Sequence, residues 1–188
     1  MRHPLPAVRR LMPAVAAALL LFGSPLEAAP KKGSKVPGFS LRDPEGAWFK
    51  LADLTYPGPA KARRPKHVVL LDFFSTDCKP CVKALPKLIK LHNKFKGKGV
   101  KVVLLALPEK SDTDERKLAA FLKRRALPFL VLVDSYGKAA GKYVMRKGVV
   151  RIPALFVIDK QMVLREVVRK MDDKTLPRLE KLVGKLAR

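Results

Sequence analysis

His67-Val68-Val69-Leu70-Leu71-Asp72-Phe73-Phe74-Ser75-Thr76-Asp77-Cys78-Lys79-Pro80-Cys81 decides how this chain is read. An apolar run with one carboxylate leads into a short polar turn. The turn leads into two cysteines, the only two in the 188 residues. Continuous apolar character from 67 to 74 predicts a strand buried on both faces, as in a parallel sheet. Behind the cysteines, Val82, Leu85, Ile89 and Phe95 recur along one side and predict a helix from 78 to about 95. Cysteines at i and i+3 on the first turn of a helix face each other, close enough to join as a disulfide. The first lies at the helix N-terminus, where unpaired N–H groups and the macrodipole favour a thiolate. A thiolate is the species that attacks disulfides. Cys78 and Cys81 therefore read as a working dithiol/disulfide couple. Pro80, in the first turn, removes no helical hydrogen bond, whereas Pro86 in the interior should kink the helix.

Two plainer readings compete with redox chemistry. A structural bridge over so few residues removes little loop entropy from the unfolded chain and is a poor staple. Half a zinc site would need further ligands, and beyond residue 28 only His67 and His92 are available, not spaced as a ligand pair. No metal and no cofactor is expected.

Residues 1–28 have the form of a secretory signal peptide. Arg2, Arg9 and Arg10 make a basic front, and Leu11 to Phe22 is an apolar core shorter than a bilayer span. Gly23 to Ala28 supplies a cleavage region, with the cut after Ala28. Leu26 is bulky there, so an uncleaved membrane anchor is the alternative. The expected location is periplasmic or secreted. Disulfides persist outside the cytosol, so an exported dithiol must be kept reduced by a donor or oxidised by an oxidant.

The formal net charge is +24, and loss of residues 1–28 removes three Arg and one Glu to leave +22. Lys83, Lys87, Lys90 and Lys94 fall on one face of the helix behind the cysteines. A solvated basic face is the plain reading; weak contact with an anionic membrane surface or attraction to acidic partners is the functional one. Nucleic acid is not expected as a partner, since no aromatic-interleaved basic motif is present.

Residues 29–35 read as a basic tether and 36–188 as one domain. Phe39 to Leu41 and Trp48 to Leu51 flank Asp43-Pro44-Glu45-Gly46 and predict a β-hairpin. Residues 57–65, rich in Pro and basic residues, read as a loop. Val100 to Leu107 predicts a second buried strand. Asp112 with Glu115 suggests a capping box for a helix to Arg125, with Leu118, Phe121 and Leu122 inward. Phe129 to Asp134 reads as a strand and Ala139 to Met145 as a short helix. Ala154 to Ile158 and Met162 to Val168 read as antiparallel neighbours joined at Asp159-Lys160. Asp172 or Asp173 caps a last helix with Leu176, Leu179, Val183 and Leu186 inward. The alternation implies an α/β domain with a mainly parallel central sheet, helices on both faces and an N-terminal hairpin extension.

The stretch Leu71 to Cys81 resembles the active-site segment of thioredoxin-fold proteins, and most closely the exported TlpA/ResA-like thiol-disulfide oxidoreductases that border on AhpC/TSA-type redoxins. Val36-Pro37-Gly38-Phe39-Ser40-Leu41 with Trp48 to Leu54 is similar to their amino-terminal hairpin. Gly148 to Asp159 is similar to the segment holding their cis-proline. The ordered likeness covers residues 36 to 186. It implies Cys78 as attacking cysteine, Cys81 as buried resolving cysteine, Pro153 as the cis-proline, and Ile152 as backbone offered to an extended substrate. It places Asp72 at the family's buried acid, which takes a proton from Cys81; burial in an apolar strand should raise its pKa. Asp77 departs from the pattern, since most relatives carry Trp there. Its carboxylate should oppose a Cys78 thiolate while Lys79 favours it.

The resemblance implies reduction of disulfides in exported proteins such as apocytochrome c, with electrons from a membrane thiol carrier of the DsbD type. Lys79-Pro80 between the cysteines puts Pro beside the second, as in reducing thioredoxins. A thiol peroxidase of the AhpC/TSA type is the alternative: Ser75 stands three residues before Cys78, but Leu71 occupies the place where a Pro is expected. A copper-handling module would need a third ligand.

Overall fold

The computed structural model describes residues 29–55, 67–107 and 112–188, without the side chains of 112–115. The expected signal segment, the loop at 57–65 and the side chains of the Asp112–Glu115 box lie outside the described residues. Among the described residues, no helix is long and apolar enough to cross a membrane.

The chain begins with a hairpin of β1 (Ser40–Arg42) and β2 (Trp48–Lys50), then a short α1 (Leu51–Thr55). β3 (Val68–Phe74) leads into α2 (Lys79–Phe95) and β4 (Val100–Ala106). α3 (Asp112–Arg125), β5 (Leu130–Val133) and α4 (Lys138–Tyr143) follow. Two short strands, β6 (Met145–Arg146) and β7 (Val149–Val150), form a second hairpin. β8 (Ala154–Ile158), β9 (Leu164–Val168) and α5 (Thr175–Ala187) complete the domain.

The main sheet has the order β2-β1-β5-β4-β3-β8-β9. Its centre is parallel, β5 beside β4 beside β3. The flanks are antiparallel: β8 on β3, β9 on β8, β1 on β5 and β2 on β1. The expectation of a mainly parallel sheet is therefore corrected to a mixed one. The apolar run of β8 signals burial on both faces, and an antiparallel strand at a doubly covered position carries the same run. The tight turn between β8 and β9 then forces their antiparallel pairing.

Side chains of β3 alternate between two cores. Val68, Leu70 and Phe74 enter one with α2, α3 and α5. Val69, Leu71 and Phe73 enter the other with α4 and the N-terminal segment, where Tyr143, Phe73 and Phe156 pack ring against ring. On α2 the buried residues are Cys81, Ala84, Leu85, Leu88, Leu91 and Phe95, while Val82 and Ile89, expected inside, are half-buried at the stripe's margin. α5 buries Leu176, Leu179 and Val183, with Leu186 partly covered. Asp172 supplies its start, accepting from the Thr175 N–H at 2.9 Å and hydroxyl at 2.7 Å.

Within residues 29–35, read as a tether, Gly33 and Ser34 are hydrogen-bonded to the start of β9, and Val36 just after them bonds to the turn before it. Gly33 N–H donates to Leu164 O at 2.8 Å, Leu164 N–H to Ser34 O at 2.9 Å, and Val36 N–H to Met162 O at 2.8 Å. The helix expected to reach Met145 stops at Tyr143, because Met145 enters β6. Lys147 (φ 48°) and Gly148 (φ 76°) make the turn to β7, two consecutive left-handed residues as a tight hairpin requires.

Candidate active site

The parallel strands β3, β4 and β5 all end on the same side of the sheet, and the two cysteines sit where β3 ends. Ser75 to Cys78 is a turn in which Cys78 N–H donates to Ser75 O at 3.1 Å and Asp77 N–H to the Ser75 hydroxyl at 3.3 Å. The turn brings Cys78 to the N-cap of α2. Its sulfur accepts the Cys81 N–H at 3.3 Å, one of the donors a helix start leaves unpaired. Cys78 and Cys81 form a disulfide with Cα atoms 5.2 Å apart. Cys81 is fully buried and Cys78 half-exposed, so only one sulfur of the pair is open to an incoming partner.

Asp72 stands on the β3 face that also carries Val68, Leu70 and Phe74, the face packed against Cys81 and α2. Its strand neighbours are Leu104 on β4 and Leu155 on β8. It is 3 % exposed, and Oδ2 has no hydrogen-bond partner. Desolvation alone raises its pKa from 3.8 to about 8. A carboxyl in that range is protonated or ionised with similar ease near neutral pH, as a proton acceptor needs. A buried Asp with a free oxygen is also expensive to keep, so a structural role explains it poorly.

The Ile152–Pro153 peptide is cis. β8 pairs Ala154 with Phe73, and one residue further the register sets Pro153 level with Phe74, where the cysteine turn departs. Ile152 is half-buried and packs on both cores, including the one that holds Cys78 and Cys81. The fold therefore brings Asp72, the cysteines, Ile152 and Pro153 to one end of β3. Asp77, Lys79 and Pro80 are exposed around the mouth. The two histidines weighed as metal ligands lie elsewhere: His67 Nδ1 is 3.2 Å from Leu54 O, and His92 stacks near Phe129.

Sequence reasoning did not find Arg146, Arg151 and Arg169. They gather beside Ile152-Pro153 through the β6–β7 hairpin and the end of β9. The available signal is Lys147-Gly148 between Met145-Arg146 and Val149-Val150, a turn pair between two short segments.

This arrangement supports thiol-disulfide exchange. One cysteine of such a dithiol can attack a partner disulfide and release one partner sulfur as a thiolate; the second can then attack the mixed disulfide and release the other, so that two electrons are exchanged between the partner and the Cys78–Cys81 pair.

The AhpC/TSA family profile matches residues 32–167. The thiol-disulfide oxidoreductase ResA of Bacillus thuringiensis subsp. konkukian is 32% identical over 157 residues, covering 82% of this chain and 78% of that protein. The thioredoxin-like protein YneN of Bacillus subtilis is 30% identical over 142 residues, covering 75% of this chain and 73% of its own. A crystal structure of a candidate thiol:disulfide interchange protein DsbE from Chlorobium tepidum superposes with a TM-score of 0.69 at 27% identity, over 85% of this chain and 100% of the other. Fold, paired cysteines and relatives agree: the chain belongs to the AhpC/TSA family and is a ResA-like thiol-disulfide oxidoreductase with a thioredoxin fold.

Proposed function

We propose that this oxidoreductase works outside the cytoplasm and reduces disulfides of exported proteins, apocytochrome c among them. A membrane thiol carrier of the DsbD type would return it to the dithiol state. The leader-like residues 1–28 support the compartment. Cys78 is the nucleophile and Cys81 resolves, Asp72 takes the Cys81 proton, and Ile152 and Pro153 form the substrate's seat. Asp77, Lys79 and Pro80 set the reactivity of the exposed sulfur. The net charge of +24 supports weak contact with an anionic membrane surface as well.

The observation that carries this reading is Asp72, a near-neutral carboxyl on the same face as the buried cysteine. Resolution requires Cys81 as thiolate in an apolar setting, where its own ionisation is unfavourable without a local base. The test is the reduction potential against glutathione, with insulin reduction and peroxide consumption measured in parallel. A potential near the thioredoxin value of about −270 mV, with insulin reduced and peroxide untouched, is the expected outcome. A potential near the DsbA value of about −120 mV, or peroxide turnover faster than disulfide reduction, overturns it.

A further inference from the structure

Three arginines converge where the cis-proline meets solvent. Arg151 stands two residues before Pro153 and continues β7, its N–H donating to Val144 O at 2.9 Å. Arg169 follows β9, level with Ala154 in the β8–β9 register, and its Nη1 donates to Arg151 O at 2.5 Å. Arg146, on β6, stands across the hairpin from Val149. Burial first, and then the Arg146 and Arg151 charges, hold the Arg169 guanidinium below its ordinary pKa. Among the described residues no carboxylate forms an ion pair with any of the three. The acids nearest in sequence to Arg169 are engaged elsewhere: Asp172 with Lys170 at 3.5 Å, and Glu166 with Arg178. Like charges gathered without a counterion repel one another, so the cluster is unfavourable until an anion arrives.

The same surface is apolar on one flank. Val149, on β7, is 60 % exposed and lies on the hairpin face of Arg146, its cross-strand partner. A basic rim beside an uncovered valine, next to the residues that flank the disulfide, suits a polypeptide better than a bare phosphate. Each arginine can also take a carboxylate bidentately.

We propose that Arg146, Arg151 and Arg169 form a specificity site for partner proteins whose redox cysteine is flanked by acidic residues in an extended apolar segment. The proposal rests on the reading of this protein as a disulfide reductase. The partner's carboxylates meet the arginines, its apolar side chains cover Val149, and its disulfide is delivered to Cys78. Asp77, on the helix side of the disulfide, bears the opposite charge and so favours one direction of the bound chain over the reverse.

The experiment uses three synthetic peptides, each closed by one intramolecular disulfide and identical but for Glu, Gln or Lys on both sides of the attacked cysteine. The reduced protein converts peptide disulfide to peptide dithiol while its own Cys78–Cys81 bond forms, and acid-quenched samples give the rate. Unit charges about 7 Å apart in water change a rate by roughly threefold per arginine, so at low salt Glu should exceed Gln by up to about 30-fold and Lys by more than that. The preference should collapse in 1 M salt. R146Q/R151Q/R169Q should lose most of it while reducing the Gln peptide within about twofold of the wild-type rate. R146Q/R151Q, which keeps the Arg169 donor to Arg151 O, should lose about two-thirds of it on a logarithmic scale and guards against misfolding of the triple variant. An unchanged Glu/Lys ratio in these variants would assign the preference to the overall charge and refute the proposal. Loss of binding to phosphatidylglycerol vesicles without any change in peptide preference would also refute it, by making the cluster a lipid contact. Failure to reduce the Gln peptide at all would strike instead at the reductase reading.

Discussion

At the residue scale the site rests on one sulfur that is open, one that is buried, and one buried acid. Cys81→Ser should accumulate mixed disulfides with partners and Cys78→Ser should not, read on non-reducing gels after acid trapping; equal trapping by both would reverse the assignment. Asp72→Asn should slow reduction about 10- to 100-fold at neutral pH and hold the enzyme as mixed disulfide, since general-base help is worth that much or more. Its stability signature is separable. Burial raises the folded-state pKa from 3.8 to about 8, while the unfolded chain keeps the ordinary value. Between those values the folded state holds a proton that the unfolded state has released. Stability therefore falls as pH rises through the window, by an amount on the order of 3–5 kcal/mol, and levels above it. Denaturant titrations of Asp72→Asn should show a much shallower slope across the same range. A residual slope remains from Asp134, whose pKa burial also raises. Asp72 was legible in the sequence because a lone carboxylate inside an apolar run has few innocent explanations. Asp134 and Asp159 were not, because their role lies in backbone N–H groups that only the folded turn brings together: Asp134 Oδ2 accepts from Ala140 N–H at 2.8 Å.

At the element scale α2 was read from its periodicity, and its start from the cysteines themselves. The helix start should lower the Cys78 pKa in the dithiol form, and Asp77 immediately before it should oppose that effect. Asp77→Asn is expected to speed alkylation of Cys78 by iodoacetamide below pH 7 at low salt, with the gain shrinking at high salt. Identical rates from pH 5 to 8 would leave Asp77 no part in tuning the nucleophile. The β8–β9 turn has its own clamp. Asp159 Oδ1 accepts from Gln161 N–H at 2.8 Å and Val163 N–H at 2.9 Å, and Oδ2 from Arg165 Nε at 2.6 Å. Asp159→Ala strands these donors and should cost about 2–3 kcal/mol, whereas Asp159→Asn, which keeps the backbone acceptor, should cost less than half of that by chemical denaturation. The Asp159-Lys160 turn was readable as a connection. The β6–β7 hairpin was missed because two-residue strands leave no periodicity to find, and Gly148 alone does not separate a hairpin turn from a loop.

At the scale of the whole molecule, the sheet's strand order follows from which faces are covered, and the sequence reports coverage without direction. Apolar runs identified β3, β4 and β8 as interior, yet the parallel pair β3 and β4 and the antiparallel β8 carry the same kind of run. Direction is set by connection length: a helix between β3 and β4, a tight turn between β8 and β9. The two sheet margins, β2 and β9, are where the protein would be exposed to pairing with other chains. Residues 31–35 cover the start of β9, including a bridge from Lys35 to Val163, and Val36 after them is buried. A basic, Gly/Ser-containing stretch reads as a tether because nothing in its composition announces pairing; the pairing uses backbone groups alone. A chain beginning at Val36 loses the Gly33 and Ser34 hydrogen bonds to Leu164. It should unfold with a midpoint lower by about 3–8 °C, on the order of 1–2 kcal/mol, and should aggregate sooner on heating because the Leu164 N–H and carbonyl at the sheet edge lose their partners. The reaction itself should persist, because Asp72, the cysteines and Pro153 are carried by β3, α2 and β8, all away from that margin. Loss of insulin reduction at a temperature where the shortened chain is still folded would mean that this segment supports the active site as well as the sheet edge.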